Sequence, residues 1–364
     1  MDRQEKTPCP HRSRLKSPPF RRFSRTFWSK GEADMRAMRL QQIRHPLVAE
    51  ICPDPTPGPG EVRLRVRACG VCRTDLHVLD GDLAPIVSPV TPGHEIVGVV
   101  EAIGPGVTKV GLGERRGVAW LGGTCGVCRY CREGQENLCD AAEFTGWSRD
   151  GGYADCVIAK ADYCCQIPAE LSDAEAAPLL CAGLIGFRAW RAACAGGPVR
   201  HLGLYGFGAA AHLLAQLAIH EGQEVYAFTR DQDDQAQALA TELGCVWAGG
   251  SSEPAPVPLD AAIIFAPAGE LVPVALAAVR KGGTVVCGGI HMSVIPAFAY
   301  ALLRGERRLV SVANLTRRDA QDYLPRAVAA GVRPRAVLYR LADANQALED
   351  LRRGAFVGAA VLTP

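Results

Sequence analysis

The chain has 364 residues, a length that points to about two domains, and its 48% hydrophobic, 21% charged and 6% aromatic composition excludes a disordered or fibrous protein. The longest apolar runs, 177–187 and 209–219, fall well short of the roughly 18 residues of a membrane span, so no membrane partner is expected. Formal charge is +2, but residues 1–34 carry nine Lys/Arg against four Asp/Glu, leaving a near-neutral body without the field that draws nucleic acid.

Fifteen cysteines, an odd number in a long chain without an apolar signal core, argue for metal binding in a reducing, cytoplasmic setting rather than a secreted disulfide framework. Residues 1–34, with Pro8, Pro10, Pro18, Pro19 and the basic Arg21-Arg22, lack periodicity and read as a disordered tail. The preferred explanation is translation assigned too far upstream, because Met35 and Met38 stand immediately before the first structured stretch. Asp2, Glu5 and the lack of an amphipathic helix disfavour a transit peptide.

Residues 35–183 read as an irregular, β-rich unit. Val62, Leu64, Val66 and Ala68 alternate with charges over 61–69, and 95–103 is a second strand. Within this unit Cys125, Cys128, Cys131 and Cys139 form C-x2-C-x2-C-x7-C, four soft donors without a nearby His, the pattern of a closed structural Zn²⁺ site. The x2, x2, x3 spacing followed by Pro that favours an iron–sulfur cluster is absent. Gly70-Val71-Cys72-Arg73-Thr74-Asp75-Leu76-His77, Gly93-His94-Glu95 and Leu180-Cys181-Ala182-Gly183 are individually weak. Together they offer two thiolates and one imidazole, the donor set of an open Zn²⁺ site.

Residues 184–314 alternate strands (201–205, 224–229, 245–247, 260–265, 284–287, 308–312) with helices (209–221, 231–243, 270–280), which predicts an α/β, doubly wound parallel sheet of the Rossmann type. Residues 315–364, with a helix near 343–353 and a strand at 357–362, are expected to pack back on the first unit.

These motifs resemble the zinc-dependent alcohol dehydrogenases of the medium-chain dehydrogenase/reductase family, closest to bacterial and yeast-like members. His94 opens G-H-E-x2-G-x5-G-x2-V with Gly98, Gly104 and Val107 in place, and the cysteine lobe has the family's order and spacing. The resemblance implies a GroES-like catalytic domain over 35–183 and two Zn²⁺ per chain. It makes Cys72, His94 and Cys181 ligands of the catalytic ion, with Glu95 behind the metal as an alternating ligand and Asp75 orienting a ligand imidazole. Thr74 accepts the substrate proton and His77 is the terminal base, reached through the cofactor ribose. Trp120 resembles the pocket tryptophan of yeast-like members, with Trp147 and Leu79 as weaker candidates.

The cofactor turn is expected at Gly203, Gly206, Phe207 and Gly208, where a strand opens into a helix, although Tyr205 stands where the second glycine of G-x-G-x-x-G belongs. The second strand ends Thr229-Arg230 in place of the carboxylate that holds the ribose of NAD, so NADP(H) is expected over NAD(H). Asp231 is one residue away. The expected protein is a homo-oligomeric oxidoreductase acting on small primary alcohols or aldehydes. Polyol or formaldehyde dehydrogenation and a non-catalytic zinc- and cofactor-binding regulator are the alternatives. A zinc-finger-like nucleic-acid module is disfavoured, since residues 125–139 carry only Arg129 and Arg132 as cations.

Overall fold

The computed structural model describes residues 34–83 and 85–364. The basic tail lies outside them, except that Asp34 already begins a strand. β1 (Asp34–Arg39) pairs antiparallel with β2 (Val48–Pro53). β3 (Glu61–Val71) buries Val62, Leu64 and Val66 on one face and keeps Arg63 and Arg65 outward, and it runs two residues past the expected end. α1 (Arg73–Asp80) follows at once.

β4 (Glu95–Ile103) has the expected limits. After it come β5 (Arg115–Val118), β6 (Leu121–Gly123), α2 (Arg129–Arg132), β7 (Glu143–Phe144), β8 (Cys156–Lys160) and β9 (Cys164–Gln166).

α3 (Asp173–Pro178) opens with a reciprocal cap in which Ser172 Oγ accepts the Glu175 N–H and the Glu175 carboxylate accepts the Ser172 N–H. It runs through a wide π turn at Leu179–Gly183 into α4 (Leu184–Cys194). The change of sequence texture near 184 thus falls inside one helical run, with no linker. Leu179, Leu180 and Leu184 of that run share a buried cluster with Leu213, Leu217 and Tyr323.

β10 (His201–Tyr205), α5 (Ala209–His220), β11 (Glu224–Thr229), α6 (Asp234–Glu242), β12 (Trp247–Gly250), β13 (Leu259–Ile264), α7 (Leu271–Ala278), β14 (Val279–Cys287) and β15 (Arg308–Ser311) build the second lobe. Its six strands are parallel in the order β12-β11-β10-β13-β14-β15, the doubly wound arrangement. α6 starts later than expected because Asp233 caps it, accepting the Ala236 N–H, after Gln232 at φ 62°. β12 also starts later, since the Cys245 N–H still bonds to Ala240 at the end of the helix.

α8 (Arg317–Ala329), β16 (Ala336–Arg340), α9 (Ala344–Arg353) and β17 (Ala359–Thr363) complete the chain. β17 lies antiparallel to β3, pairing Val361 with Gly70, so the last segment returns to the first lobe. The sheet there runs β16-β17-β3-β4-β5-β9, with β8 also on β3. Among the described residues no helix is long and apolar enough to cross a membrane.

Candidate active site

Three segments meet between the lobes. The end of β3 delivers Cys72, the chain entering β4 delivers His94 and Glu95, and the wide turn before α4 delivers Cys181. Donor atoms of these four residues all lie within 4.8 Å of one another. Cys72 Sγ and Cys181 Sγ stand 3.8 Å apart, which is the edge of a tetrahedron drawn with Zn–S bonds of about 2.3 Å.

His94 is fully buried, and neither ring nitrogen has an in-line hydrogen-bond partner. Asp75 Oδ1 lies 3.2 Å from Nδ1, which leaves Nε2 as the nitrogen facing the sulfurs. A bare buried imidazole is costly unless a ligand completes it, and this orphaned atom beside two thiols fits a metal ion. Desolvation disfavours a charged His94, yet Asp75 and Cys72 outweigh it and raise its pKa well above the imidazole value. The Cys72 thiol is pushed well down, chiefly by its contact with Cys181. Burial, then the nearby Cys72, raises the pKa of Glu95 well above the carboxylate range. Gly70 leaves room for Glu95, because a Cβ there would stand 1.7 Å from Glu95 Oε2.

Asp75 is the hub behind the donors. Oδ2 accepts the Cys72 N–H at 2.8 Å and the Tyr153 hydroxyl at 3.0 Å, and Oδ1 accepts the Gly93 N–H at 3.2 Å. Gly93 sits at φ +97°, where a side chain would meet the Tyr153 ring at 2.4 Å. Thr74 Oγ1 lies 3.7 Å from Cys72 Sγ, beside the donors. His77, at the far end of α1, has its Nδ1 2.9 Å from Asp82 Oδ2. Trp120 sets its ring edge-on to His94 at 4.9 Å and stacks on Phe144 and Trp147 at 5.2 and 6.0 Å. Leu79 is buried in the core cluster of the first lobe against which Trp147 also packs.

The cysteine lobe forms a second donor cluster. Cys125, Cys128, Cys131 and Cys139 have all four sulfurs within 4.8 Å, with Cys125–Cys139 and Cys128–Cys131 at 3.5 Å and no disulfide. The Cys128 N–H donates to Cys125 Sγ at 3.3 Å. Backbone amides at Val127 and Cys128 lower the pKa of Cys125 to about 6, the direction that readies a thiolate for a cation. The lobe also grips the crossover between lobes. Glu136 takes a bidentate contact from Arg317 together with the Arg317 N–H, and Asn137 Nδ2 donates to the Ala313 carbonyl at 2.7 Å.

At the carboxyl ends of the parallel strands, Gly206 turns the chain at φ +88°. Its N–H bonds to Phe228, and a Cβ would stand 2.8 Å from the Ala266 nitrogen. Gly208 caps α5 with open space beside it, leaving the helix N–H groups accessible to a phosphate. Tyr205 does not obstruct this turn, because its ring is buried under the sheet, stacked on Phe228 at 4.2 Å.

Three expected cofactor residues are built into the fold itself. Gly203 lies within β10, where its lack of a side chain makes room for Leu259. The Phe207 ring is packed in the core against α5. The Thr229 hydroxyl is buried, shared between the carbonyls of Arg230 and Gly249 and accepting from Gln237. Arg230 is exposed and ion-paired with Asp233 at 3.2 Å, and Asp231 Oδ1 accepts the Ser252 N–H at 3.4 Å. Tyr153, Phe144 and His291 at this cleft carry no motif. Only the position of His291 just beyond β14, at the binding end of a parallel sheet, could have flagged it. A separate cavity of about 620 Å³ between β9 and α8 is lined in part by Arg317 but by none of the donor or cofactor-turn residues.

Residues 58–169 match the alcohol dehydrogenase GroES-like domain. The chain is 46% identical over 314 residues to a probable alcohol dehydrogenase, AdhA, of Mycobacterium tuberculosis, covering 85% of this chain and 90% of that one. An alcohol dehydrogenase of Geobacillus stearothermophilus is 35% identical over 347 residues, 90% and 99% of the two chains. The solved structure of a cobalt- and zinc-bound thermostable alcohol dehydrogenase from Pyrobaculum aerophilum superposes with a TM-score of 0.82 at 26% identity, covering 91% of this chain and 100% of that one.

Proposed function

Because this chain belongs to the zinc-dependent alcohol dehydrogenases of the medium-chain dehydrogenase/reductase family, we propose that it transfers a hydride between a small primary alcohol or its aldehyde and NADP(H). The observation that carries this reading is the convergence of Cys72, His94 and Cys181 beside Thr74 and the Trp120 ring. Zn²⁺ held by those three donors would supply Lewis acidity to a substrate oxygen. A second Zn²⁺ in the cysteine lobe would be structural, since four sulfurs leave it no open position.

The chain's own residues bind, orient and move the proton. Trp120, Phe144 and Trp147 form an apolar wall that suits aliphatic and aromatic substrates and excludes water from the reacting carbon. Thr74 takes the hydroxyl proton during oxidation and passes it toward His77, whose Nδ1 is held by Asp82 so that Nε2 exchanges it. Asp75 and Tyr153 keep the His94 ring aimed at the metal position. Gly206 and the N-terminus of α5 receive the pyrophosphate.

The preference for NADP(H) rests on Arg230, an exposed guanidinium just past β11 that pairs with Asp233 at 3.2 Å, and on Thr229 ending the strand where a carboxylate would hold the ribose of NAD. Assembly as a homo-oligomer is supported by the second lobe. β15 ends its sheet as an open edge, and Ile290, Val294, Ile295 and Tyr300 nearby are exposed. Cysteines held without disulfides among the described residues accord with a reducing, cytoplasmic setting. Initial rates of benzaldehyde and short aliphatic aldehyde reduction with NADPH and NADH test the proposal. Turnover with NADPH preferred is expected, whereas no turnover with either cofactor in a zinc-replete preparation would overturn it.

A further inference from the structure

His77 does not face solvent alone. The His291 ring, on the loop that leaves β14 in the cofactor lobe, lies 5.4 Å from it between centroids, tilted by 44°. One imidazole belongs to the end of α1 and the other to the opposite lobe, so the pair spans the cleft. His77 is half-buried and His291 is exposed. The His77 Nδ1 is occupied by Asp82, and one ring nitrogen is therefore left for proton exchange on the side away from that carboxylate.

The other charged groups around the pair have partners of their own. Arg44 donates from Nε to the Asp80 carbonyl, and the Asp80 carboxylate is gripped by Arg352. Asp82 itself is held below the usual carboxylate range, first by the His77 bond and then by the nearby His77, His291 and Arg44 charges.

We propose that His291 is the residue through which His77 exchanges its proton with solvent. The inference rests on the dehydrogenase reading above. In oxidation the alcohol carbon gives its hydride to the nicotinamide and the hydroxyl gives its proton by way of Thr74 to His77. The proton then passes from His77 to His291 and to water, so alcohol and oxidised cofactor become aldehyde, reduced cofactor and one released proton. In reduction the same path runs inward. His291 acts through His77 and touches no reacting atom, which makes it a positioning residue supplied by the lobe that carries the cofactor. The path is therefore complete only when both lobes are in contact.

The test is His291→Gln in the full-length, zinc-replete enzyme, assayed for alcohol oxidation in dilute buffer with and without added imidazole. A side chain of similar size that cannot exchange a proton should lower kcat near pH 7 by roughly 100-fold, the lower end of the range for a lost proton-transfer group, with KM for the cofactor unchanged. Added imidazole should restore the rate in proportion to its concentration, and the wild type should not respond. The double variant with His77→Gln should lose no more than His77→Gln alone. A His291→Gln enzyme at the wild-type rate would overturn the inference, and so would a loss that appears in cofactor KM and ignores imidazole. A wild-type chain without turnover would overturn the dehydrogenase reading itself, and this inference with it.

Discussion

The Tyr153 hydroxyl donates to Asp75 Oδ2 at 3.0 Å across 78 residues of chain, and both side chains are buried. Burial, and after it the Asp75 charge, raises the pKa of Tyr153 well above the usual phenol value, so the group stays a donor. Asp75 thereby has both oxygens fixed while one of them faces His94. Losing such outer support weakens metal binding by about 10- to 100-fold. Asp75→Asn should fall near the upper figure and Tyr153→Phe near the lower, measured by chelator competition, with the cysteine-lobe ion unaffected. Unchanged affinity in Tyr153→Phe would remove the phenol from the support.

The two donor clusters predict two separable ions. Wild type should carry two zinc per chain by elemental analysis, and Cys128→Ser should carry one and keep the turnover of its folded fraction. Because the lobe grips Ala313 and Arg317, that variant should also unfold at a lower temperature. Cys72→Ser should keep the lobe ion and lose activity. One zinc in wild type, unchanged by Cys128→Ser, would refute the two-site arrangement.

Thr74 stands beside the donors with its hydroxyl 3.7 Å from Cys72 Sγ. Thr74→Ala should lower kcat by about 100-fold, the range for a lost proton-transfer group, and Thr74→Ser should recover most of it. Full turnover of Thr74→Ala near pH 7 would break the relay at its first member.

Arg230 is the cofactor prediction. A charge-assisted contact to a 2′-phosphate contributes about 1.5–3 kcal/mol, so Arg230→Ala should raise KM for NADPH by roughly 10- to 100-fold and leave NADH unchanged. Equal effects on both cofactors would assign Arg230 no phosphate.

His212 predicts an acid limit to stability. On α5 its Nδ1 lies 3.3 Å from the Gly208 carbonyl and its Nε2 accepts the Arg335 N–H at 3.4 Å. Burial lowers its pKa to about 4, against about 6.5 in the unfolded chain. The unfolded chain thus binds the proton first. The contribution is complete above the unfolded value and is lost as pH falls from about 6.5 toward 4, about 2 kcal/mol by pH 5. Urea unfolding of wild type and His212→Gln at both ends of that window should show the pH slope shrinking in the variant. An unchanged slope would clear His212 of this role.

Much of the second lobe was legible because its strands and helices obey clear periods, as in 201–205 and 224–229. The cysteine lobe was legible because its four thiols fall within fifteen residues, whereas Cys72, His94 and Cys181, in three distant segments, were drawn together only by the family resemblance. What the sequence concealed was direction. Thr229 reads as a strand-end hydroxyl, yet Gln237 and two carbonyls turn it inward. Tyr205 reads as an obstacle to the cofactor, yet stacking on Phe228 takes its ring below the sheet. Tyr153 and His291 act through partners 78 and 214 positions away, and no spacing rule spans such separations.

The wide turn at Leu179–Gly183 carries a further consequence. It is one residue looser than the α-helix on either side, and Cys181 sits within it. Each residue of an α-helix advances the chain by about 100°. Deleting one residue there would swing Cys181 away from Cys72, or turn α4 and the lobe beyond it relative to α3. The segment should therefore accept changes of side chain at positions such as Ala182 far more readily than any change of length.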